Sequence, residues 1–384
     1  VSQSRTLLQR IADPSPKKIL SIDGGGIRGI LALEILSGIE GMLRRRTGNP
    51  NYRLSEYFDC IGGTSTGAII AAGLSLGFEV GQLIDFYQNH GEAMFRRAHW
   101  FDRLRYKFEA KPLVTLLKQE FGERTLGSPD LQTLLVVMLR NATTESPWAV
   151  SNNPYALYNA PDHPGRNLNL ALWQLVRAST AAPTYFPPER AVLGDRTFLF
   201  VDGGVTMYNN PAFRIFLMLT VDRFWPRAPK HLARGWAPGV DKMLLVSVGT
   251  GTSSGANDLL EPREMNLLFN ASKIPSALMF SALVEQDELC RVFGDCVAGD
   301  HLDREVGTLK GSAGPLVEKL FRYVRYNADL TEGGLQAIGC EGINPSLVQQ
   351  LDSVAAIPEL RRIGSAVSCL KFREDDFALD TFRP

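Results

Sequence analysis

The stretch Asp23-Gly24-Gly25-Gly26-Ile27-Arg28-Gly29, DGGGIRG, decides how the chain is read. It follows the apolar run Ile19-Leu20-Ser21-Ile22 and precedes a segment with helical spacing, Ile30 to Leu43. Strand, glycine turn and helix in that order aim backbone N–H groups at an anion over the helix start. Gly24, Gly26 and Gly29 also satisfy G-x-G-x-x-G, the spacing of a dinucleotide-binding turn. That turn requires an acidic residue about 20 positions further on, at the end of the next strand. The chain has Arg44-Arg45-Arg46-Thr47-Gly48-Asn49-Pro50 there, basic and loop-like. The dinucleotide reading fails on its own requirement.

The same strand–glycine–helix plan recurs outward from this stretch. Tyr57 to Ile61 reads as a strand, followed by Gly63-Thr64-Ser65-Thr66-Gly67 and the apolar helix Ala68-Ile69-Ile70-Ala71-Ala72. Leu131 to Met138 fits a buried strand or a helix. Phe198-Leu199-Phe200-Val201 and Met243 to Val248 are strand-like and end at Asp202-Gly203-Gly204 and Gly249-Thr250-Gly251. Beyond about residue 255 the pattern turns mainly helical and polar. The expected architecture is α/β with a largely parallel buried sheet. Residues 1–18 read as a polar leader, 19–330 as one catalytic domain and 331–384 as a C-terminal extension packed on it.

Composition narrows the class. Hydrophobic residues make up 45% and charged residues 21% of the 384, the balance of a folded globular chain. Lys plus Arg and Asp plus Glu are both 41, which argues against a nucleic acid polymer as partner. Five scattered cysteines form no C-x-x-C pair, and no H-E-x-x-H or EF-hand pattern occurs, so no metal is expected. The opening VSQSRTLLQRIADPSPKK lacks the apolar core and small-residue cleavage site of a signal peptide. The apolar run Ala68 to Phe78 is too short to cross a bilayer as a helix. The expectation is a soluble protein.

Gly63 to Gly67 is G-x-S-x-G between a strand and a helix, the setting of a nucleophile elbow. Gly63 and Gly67 permit the sharp turn, and the following helix points its positive end at Ser65. A serine nucleophile needs a base. His90, His99, His163, His231 and His301 all lie in polar or charged surroundings, and none ends a strand. Asp202 does, at the carboxyl end where α/β folds place reactive groups. An ordinary turn aspartate and a glycine-rich packing turn are the plain alternatives. Arg96 to Phe108 mixes bases with Trp100, Phe101, Tyr106 and Phe108, the composition of a lipid-headgroup boundary or of a partly packed surface helix.

DGGGIRG, GTSTG and DGG in this order resemble the patatin-like phospholipase family. The segments Ala178 to Pro188, Tyr208 to Ala212 and Ser247 to Gly251 extend the resemblance over roughly residues 17–255. The resemblance implies a three-layer α/β/α sandwich with C-terminal helical additions. It implies lipid acyl hydrolysis by a serine–aspartate dyad, Ser65 as nucleophile and Asp202 as base. Gly24, Gly25 and Gly26 would supply the oxyanion hole with Arg28 as positive support, and no cofactor would be required. The substrate would be a phospholipid membrane surface, reached from the cytoplasm at its inner face. Some bacterial members are anti-phage effectors switched on by cyclic nucleotides. Arg322, Tyr323, Arg325 and Tyr326 are the candidate contacts for such a ligand, against an ordinary helix-surface role, and a homo-oligomer is a further expectation. Two rivals stay open: an α/β-hydrolase with a Ser-Asp-His triad through His231 or His301, and a non-catalytic storage or binding protein on the same fold.

Overall fold

In the computed structural model the described residues are 5–96, 106–252 and 267–384, with the side chains of 267–276 left aside. The chain opens with α1 (Leu7–Ala12), β1 (Lys17–Ile22), α2 (Gly29–Thr47), α3 (Leu54–Tyr57), β2 (Cys60–Thr64) and α4 (Thr66–Ser75). Next come α5 (Val80–Met94), α6 (Ala110–Phe121), β3 (Leu134–Asn141), β4 (Ser146–Ser151) and α7 (Leu172–Ser179). Then follow β5 (Glu189–Leu193), β6 (Arg196–Asp202), α8 (Ala212–Thr220), β7 (Met243–Val248) and α9 (Leu267–Phe293). The remainder is β8 (Asp295–Ala298), β9 (Arg322–Tyr326), α10 (Glu332–Ala337), α11 (Pro345–Val348) and α12 (Ile357–Lys371).

The nine strands form one sheet in the order β5-β6-β3-β2-β1-β7-β9-β8, with β4 paired to β3. Strands β3, β2, β1, β7, β9 and β8 run parallel to their neighbours, while β4, β5 and β6 enter antiparallel. The period-2 alternation of side chains divides the core in two. Leu20 and Ile22, Ile61, Leu135 and Val137, and Leu244 and Val246 pack on the side of α2, α4 and α5. Ile19, Cys60, Leu134 and Val136, and Met243 and Leu245 pack on the opposite side, with α8. That is a three-layer α/β/α sandwich. Strands apolar on both faces explain why Leu131 to Met138 lacked a distinguishing period: from Leu134 on it is β3, buried by a layer on each side and continuing to Asn141.

Two expectations are corrected. The run from Tyr57 to Ile61 is not one strand. Leu54–Tyr57 is a helical turn closed by Phe58 N–H donating to Leu54 O at 2.9 Å, and the strand starts at Cys60. The region beyond 255 is mainly helical, as expected, and its two short strands, β9 and β8, extend the parallel sheet beside β7. Arg322, Tyr323, Arg325 and Tyr326 therefore belong to a strand, not a helix surface, and the last three are buried. Arg97 to Arg105 of the basic, aromatic stretch, including His99, Trp100 and Phe101, lie outside the described residues. Among the described residues no helix is long and apolar enough to cross a membrane.

The C-terminal helix α12 lies on α2, where Glu34 accepts from Arg361 Nε at 2.5 Å and from Ser365 Oγ at 3.1 Å. At the end of β2 the backbone folds back so tightly that a Cβ on Gly63 would stand 2.1 Å from Gly67 O. Backbone lies on both sides of that contact, so no side chain can swing aside. Gly63→Ala is expected to cost about 1–3 kcal/mol or more by overpacking. A denaturant midpoint unchanged from wild type would contradict it.

Candidate active site

Strand β3 brings the candidate residues together. On one edge it pairs first with β2, ending at Thr64 opposite Met138, and then with β6, where Asp202 stands opposite Leu139. Ser65, which follows Thr64, and Asp202 thus meet across consecutive positions of one strand, although 137 residues separate them in sequence. Ser65 Oγ donates to Asp202 Oδ2 at 2.6 Å. Ser65 holds φ 54° and ψ −120° at the start of α4, a conformation that costs a non-glycine residue energy and persists because its surroundings enforce it. One enforcing group is Ser179. Its Oγ accepts from Ser65 N–H at 2.9 Å and donates to Met138 O at 2.5 Å, tying the turn to β3.

Asp202 is 4% exposed, and burial pushes its carboxyl up to about 6 from 3.8. Hydrogen bonds from Ser65 and from Gly204 N–H, the latter 2.6 Å from Oδ1, and the nearby positive charge of Arg177 limit the rise. Arg177 is itself fully buried, stacked over Phe186 with its carbon Cζ 5.3 Å from the ring centre, and donates to Pro187 O. A carboxylate with pKa near 6 is ionised at neutral pH and is a stronger base than one near 4. Together these groups can take a proton from Ser65 Oγ as it attacks a carbonyl carbon.

The DGGGIRG loop faces this pair. Gly25 and Gly26 line the same cavity as Ser65 and Asp202, whereas Gly24 and Arg28 do not. The N–H of Gly24 is committed to Asn209 O at 3.0 Å, and that of Ile27 to Leu351 O at 2.8 Å. The N–H groups of Gly25 and Gly26 meet no protein acceptor among the described residues. Gly26 has φ 59°, and a Cβ there would stand 2.1 Å from Leu351 O, so glycine is required. Burial pushes the mostly buried Arg28 guanidinium down to about 10, against the pull of Asp23, which leaves it charged at neutral pH.

Asp23 anchors the loop from below. Arg325 of β9 donates to both of its oxygens, at 2.9 and 2.6 Å, and also to Ser247 Oγ at 2.7 Å. Burial pushes the Asp23 carboxyl up while Arg325 pulls it down, and the two-pronged geometry identifies the pair as ions. Arg325 Nε in turn lies 3.9 Å from Asp287 of α9, which takes two hydrogen bonds from Arg291 and one from Tyr323 OH. Tyr323 and Arg325 are thus committed inside the fold.

The cavity above Ser65 has a volume of about 420 Å³. Its walls are mostly apolar: Ile69, Met94, Phe95, Leu113, Phe186 and Val205. Met279 of α9 and Leu351, between α11 and α12, complete it. None of the described histidines lines it. Sequence reading missed Arg177, Met279, Arg325 in this role, and Leu351. Ser179 lay inside a recognised segment, but its task depends on the carbonyl of Met138, which no local pattern discloses.

A family model described as patatin-like phospholipase matches residues 20–216. Patatin-17 of Solanum cardiophyllum is 34% identical over 248 residues, covering 62% of this chain and 61% of the relative. Patatin-1-Kuras 2 of Solanum tuberosum is 32% identical over 252 residues, covering 62% and 63%. The chain therefore spans less than two thirds of the length of these curated relatives. Among solved structures, VipD from Legionella pneumophila aligns over 93% of this chain and 67% of its own, at 12% identity and a TM-score of 0.39.

Two stability experiments follow from the geometry. Because folding raises the Asp202 pKa from about 3.8 to about 6, the folded state binds the proton more tightly than the unfolded one. Stability from this group is therefore lost as pH rises between those values, and above about pH 6 the full cost applies. Asp202→Asn should be more stable than wild type at pH 8 by about 1–3 kcal/mol, with the margin vanishing near pH 4. Equal urea midpoints at pH 8 would refute this. Arg325→Met strands a buried carboxylate and should cost about 3–5 kcal/mol. Asp23→Leu combined with Arg325→Met should cost less than Arg325→Met alone; an additive double variant would show that the two side chains do not act as a pair.

Proposed function

This chain belongs to the patatin-like phospholipase family, and from that premise we propose that it hydrolyses fatty acyl esters of membrane phospholipids through Ser65 and Asp202. The observation that carries the proposal is the 2.6 Å hydrogen bond from Ser65 Oγ to Asp202 Oδ2, made at a strained turn under an apolar cavity. Asp202 accepts the serine proton as Oγ attacks the ester carbonyl. The developing oxyanion receives the N–H groups of Gly25 and Gly26, with the N-terminal end of α4 and the charge of Arg28 adding positive potential. Collapse of the tetrahedral intermediate expels the lysolipid oxygen, which takes the proton back from Asp202. A water, deprotonated by Asp202, then attacks the acyl-enzyme; Ser65 Oγ regains its proton, and the fatty acid leaves.

The mostly apolar lining fits a hydrocarbon chain, and preformed cavities of about 300–1,000 Å³ are the usual size of small-molecule sites. A Ser-Asp-His triad finds no support, since no described histidine lines the cavity and, among the described residues, Ser65 Oγ is hydrogen-bonded to Asp202 alone. A cyclic nucleotide held by Tyr323 and Arg325 is equally unsupported, because their polar atoms are bonded to Asp287 and to Asp23.

The test is release of fatty acid from vesicles of phosphatidylcholine or phosphatidylglycerol. Ser65→Ala and Asp202→Asn should each lower kcat by about three orders of magnitude or more, and together by no more than either alone, because the two act as a unit. For the wild type, kcat/KM should fall as pH drops through about 6, where Asp202 takes up a proton and can no longer accept one from Ser65. Release that survives Ser65→Ala, or an acid limb absent between pH 5 and 7, would refute the assignment.

A further inference from the structure

A second cavity, of about 760 Å³, shares no lining residue with the catalytic one. It runs along β4, whose strand partner is β3 alone. Its other walls are the loop after β4, the turn between β5 and β6, and α8, from Arg214 to Leu219, with the residues that follow. The apolar lining comes from both faces of the sheet around the β4 edge: Val136, Met218 and Phe224 pack on the α8 side, and Trp148 and Phe198 on the side of α2. Leu157 and Tyr158 also line the cavity and are 56% and 58% exposed, so apolar surface continues from this lining to solvent.

The charge in this lining is one-sided. It includes Arg196, Arg214 and Arg223, with His163, against a single carboxylate, Asp195. None of the three arginines forms an ion pair among the described residues, unlike Arg227 nearby, which holds Asp162. Arg196 and Arg223 are exposed, but Arg214 is half-buried and held. Its guanidinium carbon lies 4.8 Å from the ring centre of Phe224 and 5.4 Å from that of Tyr208, and its Nε is buried without a partner among the described residues. Asn159, 1% exposed, gives its Nδ2 to Ser151 O and Asn153 O, which leaves Oδ1 buried and also without a partner.

An apolar trough with one fixed guanidinium is complementary to a hydrocarbon chain that ends in one negative charge. We propose that this cavity binds a long-chain fatty acid, with the carboxylate on Arg214 beside Val136, Met218 and Phe224 and the chain passing the β4 edge to Trp148 and Phe198. Arg196 and Arg223 surround it with positive potential at the solvent side. The site is separate from Ser65 and does not depend on the reaction assigned there. A fatty acid held here would be a bound ligand rather than a reacting one.

The experiment uses the full chain carrying Ser65→Ala, titrated with myristate below its micelle concentration and read by tryptophan emission. The change in emission should disappear in Trp148→Phe, which places the ligand in this cavity. Arg214→Gln should weaken myristate binding at least tenfold and Arg214→Lys less, with thermal melting showing that both remain folded. If Arg214→Gln does not fold, Arg196→Glu and Arg223→Glu, both on exposed side chains, should each weaken it about threefold. Ile69→Phe, which narrows the catalytic cavity, should leave the signal unchanged. Tetradecyltrimethylammonium, with the same chain and the opposite charge, should bind at least tenfold more weakly than myristate. Equal affinity for the two amphiphiles, no dependence on the arginines, or loss of the signal in Ile69→Phe would each overturn the proposal. So would tight binding of a lysophosphatidylglycerol with none of myristate, which would assign the arginines to a lipid phosphate.

Discussion

The meeting of Ser65 and Asp202 hangs on the length of β3. It outruns β2 by three residues, Leu139 to Asn141, and β6 takes up that overhang in the antiparallel sense. Thr64 and Asp202 therefore occupy neighbouring positions on one strand, at Met138 and Leu139. The same carbonyl of Met138 receives Ser179 Oγ, and a Cβ on Gly203 would stand 2.3 Å from it. A backbone so closely surrounded fixes the distance between a serine and an aspartate more rigidly than their own hydrogen bond could. The Ser65–Asp202 geometry is thus a property of the sheet register.

The charges around the centre are arranged at a cost in stability. Asp202 is kept ionisable in a buried site by two hydrogen bonds and the positive charge of Arg177. Asp23 is kept in place by Arg325, and Arg325 is linked through Asp287 to Arg291. Buried ion pairs of this kind rarely add net stability relative to apolar packing, because desolvation offsets attraction. Their effect here is positional: a two-pronged pair holds the root of the glycine loop from a strand about three hundred residues downstream, where apolar contact would allow it to slide.

The segment matched by the family model ends at residue 216, yet the site does not. Leu351 caps the N–H of Ile27 and presses on Gly26, Met279 closes the cavity, and Arg325 anchors Asp23. The C-terminal part of the chain thereby takes part in shaping the glycine loop and the wall of the cavity above Ser65. With a different C-terminal part, the same motifs would have a differently shaped pocket around them.

Local sequence was enough for the α/β class, the glycine turns, the serine elbow and the aspartate at the end of β6. Each is written in a few consecutive residues, because a tight turn needs glycine and a buried strand needs unbroken apolar side chains. Length of apolar run alone could not place the start of β2 at Cys60 or decide β3, since a strand buried on both faces has no polar side to reveal its period. Nor could it place Arg322 to Tyr326 in a strand, where a buried arginine is tolerated because its partner, Asp23, comes from the other end of the chain. Which amides of the glycine loop face the cavity, what holds Asp202 near pH 6, and what closes the pocket all depend on contacts between distant segments. Hydrogen bonds and desolvation act through space over a few ångströms, so residue type could nominate those groups and only the folded chain could bring them together.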